Sequence, residues 1–132
     1  MWATCSNPPA SRKESPVQTF SGRKLGRPTG HRMAMLRNMS SQLLHHEKIE
    51  TTIPKAREVA RFTERLITSA KAEGLNAHRK VAQDLHNKAV QEKLFEVLVP
   101  RYKARKGGYT QLIRKGPRLS DGSEMGILKL VS

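Results

Sequence analysis

Apolar residues recur at helical spacing in four stretches of the chain and at strand spacing in three others. From His31 to His46, Leu36, Met39 and Leu43 fall at i, i+3 and i+7, and Met33 extends the stripe. That spacing predicts an amphipathic helix. Thr29 or Gly30, behind Pro28, is placed to cap it, and Arg32 and Arg37 fall off the stripe and are expected to point away from the core. KIETT (Lys48–Thr52) is short, β-branched and alternating, and reads as a strand. The most regular helix follows. Thr52 is its expected N-cap and Pro54 lies in its first turn. Ala56, Val59, Ala60, Thr63, Leu66, Ile67 and Ala70 form one apolar stripe, and Gly74 is placed to stop the helix. Asn76 and Asn87 each precede a short helical pattern. One is lined by Val81, Ala82 and Leu85; the other by Val90, Leu94, Val97 and Leu98, ending before Pro100. After a loop from Arg101 to Gly108, Tyr109–Arg114 and Met125–Val131 read as strands. Between them KGPRLSDGSE (Lys115–Glu124) reads as a long turn. In the last strand Gly126, Leu128 and Leu130 share one face, and Ile127 and Val131 take the other. The order of elements makes the fold class α+β: helix, strand, several helices, then two strands.

The N-terminal stretch breaks this pattern. Met1 to Thr19 holds three prolines (Pro8, Pro9, Pro16), scattered Ser and Thr, one acid (Glu14) and no apolar period. It reads as a flexible extension. Its basic Arg12 and Lys13 and its few acids also suit a targeting remnant, although it lacks an Arg-rich amphipathic helix and an apolar signal core. Residues 1–20 are therefore assigned to an extension and 21–132 to one α+β domain. Across this boundary runs FSGRKLGRPTG (Phe20–Gly30), where three glycines and a proline block regular structure and leave a basic arm.

Charge changes the picture most. Lys and Arg number 25 against 11 Asp and Glu, a formal net charge of +14 on 132 residues. Such an excess points to a polyanionic partner, with nucleic acid ahead of an anionic membrane. Hydrophobic residues make up 36%, enough for only a small core. No run approaches the roughly 18 apolar residues that span a bilayer, so membrane insertion is not expected. The single cysteine, Cys5, excludes an internal disulfide framework and a thiolate-rich metal site.

The cations are clustered. No acid occurs between Val17 and His46, where the arm and first helix carry Arg23, Lys24, Arg27, His31, Arg32 and Arg37. From Arg101 to Arg118 lie seven cations and no acid: Arg101, Lys103, Arg105, Lys106, Arg114, Lys115 and Arg118, interleaved with Tyr102 and Tyr109. Guanidinium forks pair phosphates bidentately, ammonium groups act as point charges, and tyrosine rings stack on unpaired bases. Charged loops are often simply solvated, but two acid-free clusters in so basic a chain favour nucleic acid. RNA is preferred over duplex DNA, because no zinc-finger spacing, basic zipper or recognition helix is present.

Other chemistry is thin. His45–His46–Glu47 could suggest a metal, but adjacent helix positions differ by about 100° and do not face together, so the pair is expected to close the helix instead. His78 and His86 have no partner motif, and Met33, Met35 and Met39 read as core. GxxxxGK[ST], a nucleophile elbow and paired catalytic carboxylates are all missing. No cofactor, metal or small-molecule substrate is expected, and the chain does not read as an enzyme. The helix from Ile53 to Glu73 has mixed charges, unlike a basic membrane-surface helix, and reads as a solvated face over a core.

Four runs are familiar as wording. SGRKLGRPTGHRMAMLRNM (Ser21–Met39), HEKIETTIPKAREV (His46–Val59), PRYKARKGGYTQLIRKGPRLSDG (Pro100–Gly122) and MGILKLV (Met125–Val131) resemble the bacterial-type large-subunit ribosomal protein seventeen family. The likeness runs from about Ser21 to Val131. It implies a small mixed sheet packed on helices and a non-catalytic role: a structural constituent of the large ribosomal subunit, binding its rRNA near the outer side of the peptide-exit region. By that resemblance the rRNA contacts are the arm and first-helix group named above and the group from Arg101 to Arg118. Neighbours implied are ribosomal proteins thirty-two, twenty-two and three. Pro28–Thr29–Gly30 departs from the family's polar pair before the first helix, and Gly126 stands where alanine is common. HRMAMLR (His31–Arg37) is closest to organellar members, which implies the mitochondrial matrix, with plastid stroma and bacterial cytoplasm as alternatives. The rival readings are a free RNA- or DNA-binding regulator and, more remotely, a metal-dependent nuclease built on Glu47 and Glu50.

Overall fold

The computed structural model describes residues 22–72 and 74–131. The expected extension, 1–20, and Cys5 within it lie outside the described residues. Helix α1 (Thr29–His46) starts two residues earlier than its apolar period suggests. Pro28 is its N-cap, in extended conformation, and its carbonyl accepts the Arg32 N–H at 2.9 Å. Leu36, Leu43 and Leu44 are fully buried, and the three methionines pack half-buried beside them. Arg32 departs from expectation: it is buried, at 8% exposure. Positions 32, 36 and 40 lie four apart, so Arg32 continues the inward column of Leu36 and Ser40.

The helix stops at Glu47, which takes the left-handed conformation (φ 60°) usually filled by glycine, and whose N–H donates to the Leu43 carbonyl at 2.8 Å. Strand β1 (Lys48–Thr52) follows at once, and α2 (Ile53–Lys71) follows it with no loop. Thr52 occupies the N-cap as expected, although its hydroxyl makes no capping bond. The α2 stripe is buried except for Ala60, which is half-buried, and Ile53, Phe62 and Glu58 join it.

Gly74 does not stop α2. It caps the start of α3 (Leu75–Asp84): its φ of 93° turns the chain, and its carbonyl accepts the Ala77 and His78 N–H groups. Asn76 therefore lies inside α3. The buried column is Ala77, Val81 and Leu85, again four apart, and Ala82 is exposed. Asn87 does cap α4 (Lys88–Lys93), its Oδ1 accepting the Ala89 N–H at 3.1 Å. The helix then continues past Val97 instead of ending before Pro100. A wide π-type turn, Leu94–Leu98, closes when the Val99 N–H donates to the Leu94 carbonyl, and α5 (Val99–Tyr102) begins there. Pro100 sits in the first turn of α5, where its missing N–H costs nothing. Leu94, Leu98 and Val99 stay buried, while Val97 turns outward.

The sheet has three strands, β1, β2 (Thr110–Pro117) and β3 (Glu124–Leu130), in the order β1-β3-β2. Both pairings are antiparallel, so the sheet is not mixed. The last strand takes the centre and the first closes one edge, with Ile49 opposite Leu128. β2 extends beyond Arg114: the register skips at Lys115, and Gly116 and Pro117 still pair with β3. The turn is therefore shorter than expected, running from Arg118, whose N–H donates to the Ser123 carbonyl at 2.9 Å. Gly126, Leu128 and Leu130 face inward as their alternation predicts. A Cβ on Gly126 would lie 2.9 Å from Leu112 Cδ1 and 3.3 Å from the Ile113 carbonyl oxygen, so Leu112 fills the space an alanine would need.

The helices cover one face of this sheet, with α1 and α2 against β3 and the fully buried leucines and valines between them. Each such side chain contributes about 1.5–3 kcal/mol by leaving water. Thr63 on α2 donates a hydrogen bond to Ser40 on α1 at 3.1 Å, satisfying two hydroxyls inside the core. Among the described residues, no helix is long and apolar enough to cross a membrane.

Candidate nucleic-acid interface

The arm is a turn before it is a ligand. Leu25 and Gly26 both have positive φ (54° and 62°), and the Arg27 N–H donates to the Lys24 carbonyl at 3.2 Å. Glycine at the second of two left-handed positions is what such a turn favours. It leaves Arg23 and Lys24 exposed and folds Arg27 back, half-buried, its guanidinium donating to the Leu25 carbonyl. His31 is exposed in the first turn of α1. Arg37 is half-buried and paired with Asp84 of α3, Nε to Oδ1 at 3.0 Å. Its positive charge is thus shared with a carboxylate of the protein itself.

The second group rests on buried anchors. Tyr102 and Tyr109 are each only 1% exposed, with ring centroids 5.0 Å apart. Base stacking on these rings is therefore ruled out by their place in the core. Their function is to hold the loop between them. Tyr102 donates to the Val131 carbonyl and Tyr109 donates to the Arg105 carbonyl at 3.2 Å. Lys71, at the end of α2, donates to that same carbonyl and to the Tyr109 hydroxyl. Burial pushes the Tyr102 phenol above its usual pKa. Gly108, at φ 65°, turns the chain into β2. The result is a pinned loop from which Lys103, Arg105 and Lys106 project into solvent.

Arg101 stands at the foot of this loop and bonds Glu47 at 2.9 Å, and Lys93 reaches the same carboxylate at 3.0 Å. The hydrogen bonds from Arg101 and then Lys93 hold the Glu47 carboxyl below its usual range, and the same carboxylate raises Arg101. Lys93 also donates to the His45 carbonyl, placing a cation at the negative end of α1. His45 and His46 do meet, contrary to the helical-angle expectation. Their rings touch edge to face with Nδ1 atoms 3.4 Å apart, as the last turn of a helix allows. Among the described residues, no set of three or more His, Cys, Asp or Glu could hold a metal ion. Glu47 and Glu50, the carboxylates a nuclease reading needs, are each engaged by cations, Glu50 by Lys115 at 2.7 Å.

Cations that are contiguous in sequence are spread in space. β2 is eight residues long, about 26 Å at strand rise. Lys103–Lys106 lie before its start and Arg118 just beyond its end, with exposed Arg114 between. Arg118 is held 3.6 Å from Asp121. Asp121, fully exposed, has its carboxyl held low mainly by the Ser123 hydroxyl. The hairpin tip meets the arm: Arg23, Ser123 and Glu124 line one cleft of about 450 Å³ with the first turn of α2. Arg57 lines it too, a cation the charge counts of Ile53–Glu73 had concealed. Its signal was position and not number.

A small α+β core that presents pinned, cation-bearing segments at both ends of a hairpin is the build of a basic surface-binding protein, with its rings and acids used to brace the cations. Residues 35–131 match the family model described as Ribosomal protein L17, and the chain belongs to that family. It is 44% identical over 116 residues to "Large ribosomal subunit protein bL17" of Endomicrobium trichonymphae, covering 88% of this chain and 99% of that one. The protein of the same name from Trichlorobacter lovleyi is 49% identical over 84% of this chain and 90% of its own. That of Clostridium acetobutylicum is 48% identical over 83% and 96%. The family is one of ribosomal proteins and not of enzymes.

Proposed function

We propose that this protein is a structural constituent of the large ribosomal subunit that binds large-subunit rRNA through its basic arm and its basic loop and hairpin. The carrying observation is the pinned loop. Tyr102, Tyr109 and Lys71 spend three buried or half-buried polar groups on holding a segment whose outward side chains are Lys103, Arg105 and Lys106. A merely solvated loop needs no such bracing, whereas phosphate contacts gain from cations fixed in advance. Arg23, Lys24, His31, Arg114 and Arg118 are the proposed contacts at the arm and hairpin. Arg27, Arg32, Arg37, Arg101 and Lys115 act nearer the protein surface, where each is half-buried, buried or ion-paired.

Binding through phosphates releases counterions, so the log of affinity should fall linearly with the log of salt, by about 0.7–0.9 for each phosphate. A titration of purified chain on large-subunit rRNA from low to high KCl tests this. Equal affinity at both ends sinks the reading. Sedimentation separates it from a free regulator, since a ribosomal protein travels with large subunits after a moderate salt wash. The wording of His31–Arg37 supports a mitochondrial ribosome, although the relatives named above are bacterial. Neighbouring ribosomal proteins thirty-two, twenty-two and three are proposed from the family likeness. Mass spectrometry of cross-linked particles from each compartment tests both points.

A further inference from the structure

We propose a third RNA contact, separate from the arm and the hairpin: a column of guanidinium groups along α2 that takes the phosphodiester backbone of a single RNA strand. It rests on the rRNA-binding reading above. The charge of Ile53–Glu73 is nearly balanced in sequence, but the fold sorts it. Glu58 is buried, at 3% exposure. Glu64 is half-buried and accepts a hydrogen bond from Thr110 of β2 at 2.8 Å. Arg57, Arg61 and Arg65 are all exposed. They recur every four residues, so they form one column opposite the apolar stripe. At 1.5 Å per residue they span about 12 Å, the length of three to four stacked nucleotides. The Arg61 pair with Glu58 is loose, at 3.8 Å with Arg61 65% exposed, and exposed pairs of that kind hold a side chain weakly.

The column is not isolated. At its start Arg57 shares the cleft with Arg23 of the arm. At its far end Arg65 lines a groove of about 440 Å³ between α1, α2 and α3, together with Arg37 and Lys80. Arg61, Glu64, Arg65, Thr68 and Ser69 line a shallow surface that shares Arg65 and Ser69 with that groove. One strand could thus run from the arm along α2 to α3 with an arginine at each step; the carboxylates on that path are Glu124, Glu64, which accepts from Thr110, and Asp84, which is paired with Arg37. The chemistry favours a phosphate backbone over an acidic protein partner. Protein interfaces are anchored by large apolar or aromatic side chains, and among the described residues the exposed large hydrophobics, Leu75, Val97, Ile113 and Leu119, all lie off α2.

The test uses the full chain and a transcript of large-subunit rRNA, with affinity followed by fluorescence anisotropy across KCl concentrations. The triple variant Arg57→Gln/Arg61→Gln/Arg65→Gln should reduce the log–log salt slope by about 2–3, the loss of three phosphate contacts. Arg→Lys at the same three positions should restore most of the slope, since ammonium groups still neutralise phosphate. A charge-matched control, Lys48→Gln/Arg79→Gln/Lys88→Gln, removes three exposed cations away from the column and should leave the slope near that of the wild type. An unchanged slope in the α2 variant, with an unaltered circular dichroism melt, overturns the proposal and leaves the column to an acidic protein. An equal fall in the control overturns it too. If the wild type itself fails to bind, the rRNA reading falls first and this contact falls with it.

Discussion

Glu47→Gln isolates the junction on which α1, α4, α5 and the sheet meet. Glu47 turns the chain out of α1, receives Lys93 and Arg101 on its carboxylate, and accepts the Leu130 N–H of β3 on its carbonyl. Glutamine keeps the length, the backbone bonds and one acceptor oxygen; it removes the charge and replaces the oxygen that serves the other cation with an amide donor. The three side chains are about one-third exposed (28–35%). Solvent therefore screens them, and each pair is worth at most ~1 kcal/mol. Together they should cost about 1 kcal/mol, which lowers the melting temperature of a domain of this size by about 4 °C. The pH dependence has a definite sign. The folded carboxyl titrates below its ordinary 4.5, so its contribution is full above that value and is lost as pH falls through the folded pKa. Thermal melts of wild type and variant should differ at pH 7 and converge as the carboxylate is protonated. The gap should also shrink in 1 M KCl, where the Debye length falls to ~3 Å. A gap that persists unchanged at pH 3 and in 1 M KCl would refute the reasoning, and would assign the cost to packing at the left-handed turn.

Two further outcomes follow from the core. Tyr102→Phe removes the donor to the Val131 carbonyl and should cost about 0.5–1.5 kcal/mol in denaturant unfolding, with a small loss of rRNA affinity as the loop loosens; an unchanged stability and affinity would show that this bond does not pin the loop. Thr63→Val should cost about 1–3 kcal/mol by stranding the Ser40 hydroxyl, and Ser40→Ala in the same chain should recover part of that loss, so a double-mutant cycle with no coupling would show that the 3.1 Å bond between them carries no energy.

Where local chemistry decides, the sequence was a good guide. Asn87 caps its helix because an Asn side chain reaches the N–H two residues on, and that needs no distant partner. The alternation of Gly126, Leu128 and Leu130 predicted the inward face of β3, because a strand has period two wherever it packs. Gly74 shows the limit of such rules. Positive φ suits the end of one helix and the start of another, and only the packing of α3 on α2 selected the second. Pro100 looks like a stop in the sequence, but in the wide turn ahead of it the Leu94 carbonyl takes the Val99 N–H, and Pro100 falls in the first turn of α5, where no N–H is needed.

The candidate site divides the same way. Its cations and their two acid-free clusters were visible in one dimension, since charge is a property of each residue. Their roles were not, because exposure depends on which neighbours the fold supplies. Tyr102 and Tyr109 look like base platforms in sequence and become loop anchors once the fold buries them and brings Val131, just past β3, into hydrogen bonds with both. Arg32 looks outward until the fold buries its column with Leu36 and Ser40. The +14 net charge and the family wording belonged to the sequence alone. Which cations face solvent, which are braced by Glu47, Glu50 and Asp84, and that α2 hides its acids while showing its arginines were decided only by tertiary packing, which sets the distances over which charges act.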